Sequence, residues 1–419
     1  MLDKETLHRV LRRGVAEIIL EEEFVDLLQQ GRPLRLKMGF DPSRPDIHLG
    51  HVVGLRKLRQ LQDLGHKVIL IVGDWTAQIG DPSGQSVTRP MLTHEEVVAN
   101  AESYMRQFFK VVDRDRTEVQ WQSEWFGKFN LADVIKLTSR FTVAQFLARD
   151  DFAARFKENR PIAITELLYP LLQAYDSVAI QSDVEFGGTD QKFNLLVGRE
   201  LQRMLGQRPQ QCFLMPLLVG TDGVQKMSKS LGNYIAVEDP PAEMFGKTMS
   251  IPDGLIMEYL WLLTDIPDDE LHQLEHAMEA GSLNPMALKK RLAHEITTQF
   301  HGREAADVAQ RQFEQVVQRS QVPDDVPTAH YSVDASSLHL LSDKGQVAVD
   351  LGEGMTVDAS DLLAALGLSL SKSEAKRLLA QGAVQVDGER LEGNAIRIRN
   401  GLVIRAGRRR YVRLVQAKK

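Results

Sequence analysis

Two short segments far apart in the chain carry side chains that suit the binding of an anion. In the first, HLGH at residues 48–51, His48 and His51 flank Gly50 at the predicted start of a helix. Histidines at i and i+3 share one helix face, and a helix N-terminus adds N–H donors and partial positive charge. Gly50 lets a flat ring or a phosphate approach the backbone. The pattern predicts anion binding, and solvated or capping histidines are the alternative.

The second segment is KMSKS at residues 226–230, which follows the turn-forming stretch VGTDGVQ. Its glycines and aspartate predict a turn and a mobile loop, so Lys226 and Lys229 could follow a migrating charge. In adenylyl transfer a carboxylate attacks the α-phosphorus of ATP and pyrophosphate leaves. Lysines that engage the β and γ phosphates in the transition state lower that barrier. A solvated turn is the alternative for this loop alone, and the presence of HLGH in the same chain favours the phosphate site.

Secondary-structure patterns place these segments on one scaffold. Residues 34–40 predict a strand, residues 51–65 an amphipathic helix, and residues 66–73 a fully buried strand. Ligands of such a βαβ unit bind beyond the carboxyl ends of the strands, where residues 41–51 and 74–84 both lie. We therefore expect the two loops to border one site. No third histidine, cysteine or carboxylate follows HLGH at a recognisable spacing, so we predict no metal site on the protein.

The rest of the chain divides by composition and periodicity. Helical patterns fill residues 93–160 and return over 240–320, and two prolines with small polar residues near 323–337 indicate a connector. The last segment has a capping-box helix start at 371–374, an Asp-Gly turn and short strands. We predict a catalytic domain at 1–235 with a helical insertion at about 125–160, a helical domain at 236–325, a linker at 326–352 and a small basic domain at 353–419.

Charge and hydropathy bound the partners of the chain. Its 419 residues carry a formal charge of −6, yet residues 371–419 hold 13 Lys and Arg against 4 Asp and Glu. A basic tail on an acidic body indicates a polyanionic partner. The longest apolar stretch, residues 68–72, falls far below the roughly 18 residues that span a bilayer. We expect a cytoplasmic protein without a membrane partner, and we assign no role to Cys212, the single cysteine.

Five ordered motifs then identify a family. GFDPSRPDIHLGH, IGDPSG, YPLLQAYD, GGTDQ and KMSKS occur in this order, and the chain resembles bacterial tyrosyl-tRNA synthetases of class I from about residue 30 to its end. The resemblance implies an α/β fold with a Rossmann-like parallel sheet, followed by an α-helical domain and a small α+β RNA-binding domain. It also implies an enzyme that makes tyrosyl-adenylate from L-tyrosine and ATP with magnesium, and then charges tRNA(Tyr).

The resemblance extends to individual site residues. It places ATP among Asp41, Ser43, His48, Gly50, His51, Gly188, Asp190, Lys226, Met227 and Lys229. It places tyrosine among Lys37, Gly39, Asp81, Tyr169, Gln173, Asp176 and Gln191. It gives catalytic roles to His48, His51, Arg89, Lys226, Lys229 and Ser230.

Elementary chemistry supports the amino-acid end of this assignment. Asp81, Tyr169 and Gln173 offer a carboxylate, a phenol oxygen and an amide oxygen, which are three acceptors for the three N–H groups of an ammonium. Tyr169, Gln173 and Asp176 are spaced i, i+4 and i+7, so they share one helix face. Asp176 would accept the tyrosine hydroxyl and would be left unpaired by phenylalanine, which is a large penalty. A partly exposed helix with its polar edge outward is the alternative.

Two residues depart from the family pattern. Lys37 stands where many relatives have a second phenol-binding tyrosine, and it could ion-pair with an acidic neighbour or donate to the phenol oxygen. Gln85 replaces a lysine that is common in the loop after GDPSG. Arg89 keeps a family position near the leaving group.

The C-terminal segment 362–391 resembles a small RNA-binding fold that is also found in ribosomal proteins and pseudouridine synthases. Lys372, Lys376 and Arg377 would share a helix face against tRNA phosphates, with no DNA partner, and a solvated basic face is the alternative. The resemblance implies a homodimer that forms through the helical insertion. Two other functions stay open: a tryptophanyl-tRNA synthetase, and a noncatalytic RNA-binding protein on a synthetase scaffold.

Overall fold

The computed structural model describes residues 2–43, 45–83, 93–315, 326–334, 336–342, 345–352, 354–407 and 410–417. The chain divides into two compact units, Met1–Ala306 and Asp307–Lys419. Each unit has a hydrophobic core of its own. Within the described residues, none of the helices combines the length and the apolar character needed to cross a membrane.

The first unit is built on a six-stranded sheet with helices around it. Its strands are β1 (Glu17–Ile19), β2 (Arg35–Phe40), β3 (Lys67–Val72), β4 (Thr117–Trp121), β5 (Val184–Gly188) and β6 (Gln211–Met215). Its helices up to the last parallel strand are α1 (Lys4–Arg12), α2 (Glu21–Gln29), α3 (Leu49–Asp63), α4 (Thr76–Ile79), α5 (His94–Phe108), α6 (Ser123–Phe126), α7 (Leu131–Thr138), α8 (Val143–Leu147), α9 (Asp150–Lys157), α10 (Ile164–Ala179) and α11 (Lys192–Met204). The helices that follow are α12 (Pro241–Met249), α13 (Ile256–Leu263), α14 (Asp268–Glu279), α15 (Pro285–His301) and α16 (Arg303–Phe313), which runs across the boundary between the units.

The sheet confirms the predicted fold class. The strand order is β1-β6-β5-β2-β3-β4, and neighbours from β6 to β4 pair in parallel while β1 is antiparallel. After β2 the chain builds β3 and β4 on one side and then returns to add β5 and β6 on the other. The order of the strands therefore reverses between β2 and β5, and such a switch opens a crevice at the carboxyl ends of the strands.

The predicted βαβ unit is present, with α3 joining β2 to β3. The range 93–160 differs from the expectation, because it holds β4 among its helices. This strand pairs in parallel with β3. All five of its residues are partly exposed, so TEVQW is an edge strand without the apolar run that marked β3. The segment from α6 to α9 is helical, as expected for the insertion.

The helices α12–α15 pack onto the core of the sheet rather than forming a core apart. Leu260 and Leu292 are fully buried in the same cluster as Leu55 of α3 and Phe213 of β6. One apolar cluster therefore contains residues from both sides of residue 235. The predicted domain boundary at this residue stays a prediction.

The second unit centres on a seven-stranded sheet of order β12-β11-β14-β15-β7-β8-β9, with β10 and β13 paired beside it. The strands are β7 (Thr328–Val333), β8 (Ser337–Ser342), β9 (Gly345–Asp350), β10 (Thr356–Asp358), β11 (Val384–Val386), β12 (Glu389–Arg390), β13 (Ala395–Arg397), β14 (Val403–Ala406) and β15 (Arg410–Gln416). The helices are α17 (Ala359–Ala365) and α18 (Lys372–Ala380).

This unit corrects one expectation and bears out two local ones. The range 326–352, expected to be a linker, supplies β7, β8 and β9, and β7 pairs with β15 near the end of the chain. β7 also pairs with β8, and β8 pairs with β9, so these strands form local hairpins. The prolines and small polar residues of 323–337 favoured a connector in the sequence. The Asp387-Gly388 pair joins β11 to β12 with positive φ at both residues, as a type I′ turn requires. Ser371 caps α18 by accepting the backbone N–H of Glu374.

Candidate active site

A cavity of about 330 Å³ opens at the carboxyl ends of the parallel strands. Its walls come from the end of every parallel strand or from the loop that follows, which is the position expected of a site at the switch between β2 and β5. The lining residues that represent β2, β3, β4, β5 and β6 in turn are Asp41, Thr76, Gln122, Gly188 and Leu217. The two loops that the sequence predicted to border one site do so.

The HLGH residues form the start of α3. His48 is the N-cap, and its Nδ1 accepts the backbone N–H of Gly50 at 3.2 Å, while Nδ1 of His51 accepts the backbone N–H of His48 at 3.1 Å. Because each Nδ1 accepts, we assign the proton of each neutral ring to Nε2. Burial, with Lys229 nearby, lowers the pKa of His51 to about 3 and holds the pKa of His48 well below its usual value. Both rings are therefore neutral N–H donors near pH 7.

Two glycines of the cavity wall, Gly50 and Gly39, differ in the space around them. A Cβ at Gly50 would lie 3.0 Å from the ring of His48, so the capping histidine itself leaves little room there. A Cβ at Gly39 would meet no heavy atom of the described residues within 4 Å, so this stretch of β2 faces open space in the cavity. Backbone of this kind can lie close to a ligand.

The KMSKS loop lies against the cavity with its lysines engaged by protein groups. Lys226 Nζ lies 2.7 Å from Asp190 Oδ2, and both residues line the cavity together with Met227. Lys229 Nζ donates to the Tyr104 hydroxyl at 2.5 Å and to the backbone carbonyl of Asp46. Lys226 therefore ties the loop to the residues after β5, and Lys229 ties it to the residues just before α3.

Ser230 and Lys229 of this loop are not among the cavity-lining residues, while Ser228 is. The Ser230 hydroxyl lies 2.9 Å from that of Ser228. The backbone N–H of Ser228 donates to the side-chain carbonyl of Asn233 at 2.8 Å, which fixes the base of the loop.

Tyr169, on the buried face of α10, lines the cavity beside Asp41. Its hydroxyl donates to Asp41 Oδ2 at 2.8 Å, and Thr76 Oγ1 donates to the other oxygen of the same carboxylate at 2.7 Å. Burial and the carboxylates of Asp41 and Asp81 raise the pKa of Tyr169 well above its usual value. Its phenol therefore stays neutral, with the proton directed at Asp41 and the oxygen still able to accept a hydrogen bond.

Gln173 and Asp81 are also held in place by hydrogen bonds to neighbouring residues. Gln173 Nε2 donates to Glu185 at 3.1 Å, which leaves its carbonyl oxygen as an acceptor. Gln191 Nε2 donates to Asp81 Oδ2 at 2.7 Å, and the N–H of Ser83 donates to Oδ1 at 2.8 Å. Burial raises the pKa of Asp81. The structure thus brings a carboxylate, a phenol oxygen and an amide oxygen to one cavity.

Asp176 also lines the cavity, and its carboxylate is held by two neutral donors. Gln122 Nε2 donates to Oδ2 at 2.8 Å and Trp125 Nε1 donates to Oδ1 at 3.2 Å. The carbonyl of Gln122 accepts the backbone N–H groups of Trp75 and Thr76, so the amide cannot turn around without losing both bonds. Burial raises the pKa of Asp176 to about 7, against the opposing effects of the Lys37 ammonium and the Gln122 hydrogen bond.

Sequence reasoning did not find Gln122, Trp125, Thr76 or Tyr104. The first two follow β4, the strand that the sequence patterns did not reveal. Recognition of β4 would have supplied the signal, since residues that follow the strands of a parallel sheet meet at one edge of the sheet.

Lys37 is an exception among the predicted site residues. It is fully buried, it is not among the cavity-lining residues, and its ammonium pairs with Glu185 Oε1 at 2.9 Å. The structure therefore shows the ion pair with an acidic neighbour rather than a donor aimed at a phenol. Gln85 and Arg89 lie outside the described residues.

The remaining predicted residues have clear positions. Ser43, Gly188, Asp190 and Gln191 all line the cavity. In the second unit, Lys376 and Arg377 are exposed on α18, and Lys372 Nζ lies 2.7 Å from Asp361.

Comparison with known proteins identifies the family. Residues 29–318 match the family described as tRNA synthetases class I (W and Y). The tyrosine–tRNA ligase of Dehalococcoides mccartyi strain CBDB1 is 58% identical over 409 residues, which cover 98% of each chain. This chain belongs to the tyrosine–tRNA ligase family.

Two further relatives are similar over most of this chain. The ligase of Thermotoga maritima is 52% identical over 97% of this chain and 96% of its own. The crystal structure of the Archaeoglobus fulgidus tyrosyl-tRNA synthetase complexed with L-tyrosine is 28% identical, covers 73% of this chain and 99% of its own, and has a TM-score of 0.60. Residues 360–404 match the S4 domain, which is the small RNA-binding fold expected for the C-terminal segment.

Proposed function

We propose that this chain activates L-tyrosine with ATP, releases pyrophosphate and transfers the tyrosyl group to tRNA(Tyr). Its membership of the tyrosine–tRNA ligase family makes it an ATP-dependent aminoacyl-tRNA synthetase. The main structural support for this proposal is that the groups suited to tyrosine and those suited to ATP line one cavity. Asp176, an acceptor for a hydroxyl, lines the same cavity as His48, His51 and Lys226, which are donors for phosphates.

The amino-acid substrate would be held by acceptors that are already oriented. The tyrosine ammonium would donate to Asp81, Tyr169 and Gln173, whose own partners leave an oxygen available to each. The tyrosine hydroxyl would donate to Asp176. Gln191, which donates to Asp81, would stand near the reacting carboxylate.

ATP would lie along the β2 loop, the start of α3 and the KMSKS loop. His48 and His51 would donate from Nε2 to the phosphate under attack, and neutral rings of this kind need no proton exchange with solvent. Gly188 and Asp190 would face the ribose. ATP would replace Asp190 as the partner of Lys226, and phosphate oxygens would replace the present partners of Lys229, with Ser230 beside them. Catalysis would then rest on positioning and electrostatic stabilisation.

Magnesium would enter with ATP. The carboxylates that face the cavity already accept from protein donors: Asp41 from Tyr169, Asp81 from Gln191, and Asp190 from Lys226. Phosphate oxygens are hard ligands of the kind this ion prefers, so the ion would add positive charge at the leaving pyrophosphate without a protein site of its own.

The C-terminal unit would bind the tRNA. It contains the S4 match, and α18 presents the exposed charges of Lys376 and Arg377 with Lys372 in the first turn. Contacts of this type to phosphates add affinity more than sequence selection. We retain the predicted catalytic, helical and basic domains as the functional division of the chain, and we propose that it acts in the cytoplasm, where its substrates occur together.

A homodimer is proposed through the helical insertion. This segment carries large apolar side chains on its surface, with exposed fractions of 74% at Leu131, 58% at Ile135, 61% at Val143 and 64% at Phe156. Exposed apolar groups in such number are typical of a protein interface. A second copy of the chain would cover them.

The test is aminoacylation of tRNA(Tyr) transcript by the full chain, followed as charged tRNA on acid gels. The proposal predicts charging that requires tyrosine, ATP and magnesium together. Charging with tryptophan instead would keep the reaction class and overturn the substrate. Binding of tRNA without charging would favour an RNA-binding protein that keeps the synthetase scaffold.

A further inference from the structure

Lys37 is a fully buried cation whose donors are all used. Its Nζ lies 2.8 Å from the backbone carbonyl of Gln173, 2.8 Å from Ser177 Oγ and 2.9 Å from Glu185 Oε1. Glu185, on β5, is 1% exposed and also accepts from Gln173 Nε2 and Gln210 Nε2. The pair is therefore completely enclosed and hydrogen-bonded, as a buried ion pair must be.

Stability alone is a weak reason for such a pair. Removing two charges from water is costly, and apolar residues of similar volume often replace a buried ion pair without loss of stability. The position of the pair suggests another reason. Its two partners on α10, Gln173 and Ser177, lie on either side of Asp176 in the chain, so the ammonium of Lys37 contacts the same stretch of helix as the residue proposed to bind the tyrosine hydroxyl.

Asp176 has one charge of each sign near it in the interior. Lys37 on β2 favours its ionised form, and Glu185 on β5 opposes it. Tyr169 lies two helical turns away on the same face of α10, and burial together with nearby carboxylates, Asp176 among them, raises its pKa. Gln122 and Trp125 are neutral donors. Ionised Asp176 accepts a hydrogen bond from a hydroxyl, whereas the protonated acid carries an O–H donor that needs an acceptor of its own.

We propose that Lys37 is a positioning residue for substrate selection, which increases the ionised, hydroxyl-accepting fraction of Asp176 near pH 7 and thereby maintains the preference for tyrosine over phenylalanine. The inference rests on the proposed function and adds to it a residue that touches neither substrate. An ionised carboxylate strongly disfavours a substrate without a hydroxyl, because its buried charge loses the hydrogen bond that the hydroxyl would donate. A protonated Asp176 would impose a smaller penalty on phenylalanine and bind tyrosine less well.

The test exploits two substitutions of opposite electrostatic sign. Lys37→Gln removes the charge that favours ionised Asp176 and keeps N–H donors, and Glu185→Gln removes the charge that opposes it and keeps an acceptor for Lys37. The measurement is tyrosine-dependent ATP–pyrophosphate exchange between pH 5.5 and 9, with kcat and KM separated for tyrosine and ATP, and with phenylalanine as the second substrate.

Lys37→Gln should move the pH midpoint of tyrosine kcat/KM upward, and Glu185→Gln should move it downward. If the midpoint in Lys37→Gln rises by about one pH unit, kcat/KM for tyrosine should fall about tenfold at pH values below the midpoint. This fall should come from a higher KM for tyrosine, while the KM for ATP stays unchanged. The preference for tyrosine over phenylalanine should fall in Lys37→Gln near pH 7 and recover as the pH rises.

Losses of equal size at every pH, with unmoved midpoints in both variants, would overturn the inference and leave Lys37 a packing residue. If Lys37→Gln does not fold, Glu185→Gln decides alone, since an unmoved or raised midpoint contradicts the proposal. Wild-type protein without tyrosine exchange would overturn the proposed function, whereas active wild type with the equal losses above would overturn this inference only.

Discussion

Replacement of Tyr169 by phenylalanine isolates one proposed contact to the substrate. The Tyr169 side chain is 7% exposed on α10, and its hydroxyl, which donates to Asp41 at 2.8 Å, faces the cavity. Tyr169→Phe removes the oxygen that would accept from the tyrosine ammonium and keeps the ring that fills the helix face. Asp41 retains its bond from Thr76.

The magnitude follows from the type of bond that is lost. A hydrogen bond to a charged group contributes about 1.5–3 kcal/mol, which corresponds to about 10- to 150-fold in affinity. The ammonium does not change during adenylate formation, so ground state and transition state should lose this contact equally. Tyr169→Phe should therefore raise the KM for tyrosine by about that factor and leave kcat nearly unchanged.

The assay is tyrosine-dependent pyrophosphate exchange at saturating ATP, with Tyr175→Phe as the matched control. Tyr175 lies on the same helix, but its ring packs against Phe126 and Phe129 and does not line the cavity. The control should keep the wild-type KM. A KM for tyrosine within twofold of wild type in Tyr169→Phe would refute the ammonium site, and a fall in kcat at constant KM would assign the hydroxyl to the transition state.

Four further predictions test other parts of the account. His51→Ala and Lys229→Ala should each slow adenylate formation by about 100-fold with little change in tyrosine affinity, measured by single-turnover kinetics, because both are proposed transition-state contacts. Deletion of residues 326–419 should spare adenylate formation and weaken tRNA charging, and equal loss of both would contradict the division of roles. Phe156→Glu should shift the protein from dimer toward monomer in light scattering, since it places a charge in the proposed interface, and an unchanged mass would contradict it. The raised pKa of Asp176 means that the native state binds a proton more tightly than the unfolded chain, so its contribution to stability is lost as pH rises from about 4 to about 7. Asp176→Asn should therefore gain stability relative to wild type across that window, by up to a few kcal/mol in urea unfolding, while losing tyrosine activation; a constant difference would contradict the assigned burial.

The sequence predicted the elements whose signal is local. The strands β2 and β3 were recognised from their apolar residues, and the helix between them from its amphipathic pattern. The loops that follow β2 and β3 lie at the carboxyl ends of parallel strands, so the position of the cavity followed from the rules of parallel sheets. The i, i+4, i+7 spacing of Tyr169, Gln173 and Asp176 also placed them on one helix face, and all three line the cavity. The turn at Asp387-Gly388 was predictable because few residue pairs accept positive φ at both positions.

Features that depend on distant partners were not predictable in this way. The strand β4 has no apolar run. The strand β7 begins in a stretch whose prolines and small polar residues favour a connector, and it lies between β8 and β15, the latter more than 80 residues later. The burial of Lys37 depends on Glu185, which is contributed by another strand. Gln122 could be recognised as a partner of Asp176 only once β4 had been placed beside β3.

The proposed function requires one cavity to activate tyrosine with ATP. The most direct measurement is ATP–pyrophosphate exchange by the purified full chain without tRNA, tested with each of the twenty amino acids. We expect exchange with tyrosine alone. Exchange with another amino acid in preference to tyrosine, or no exchange with any of them, would contradict it.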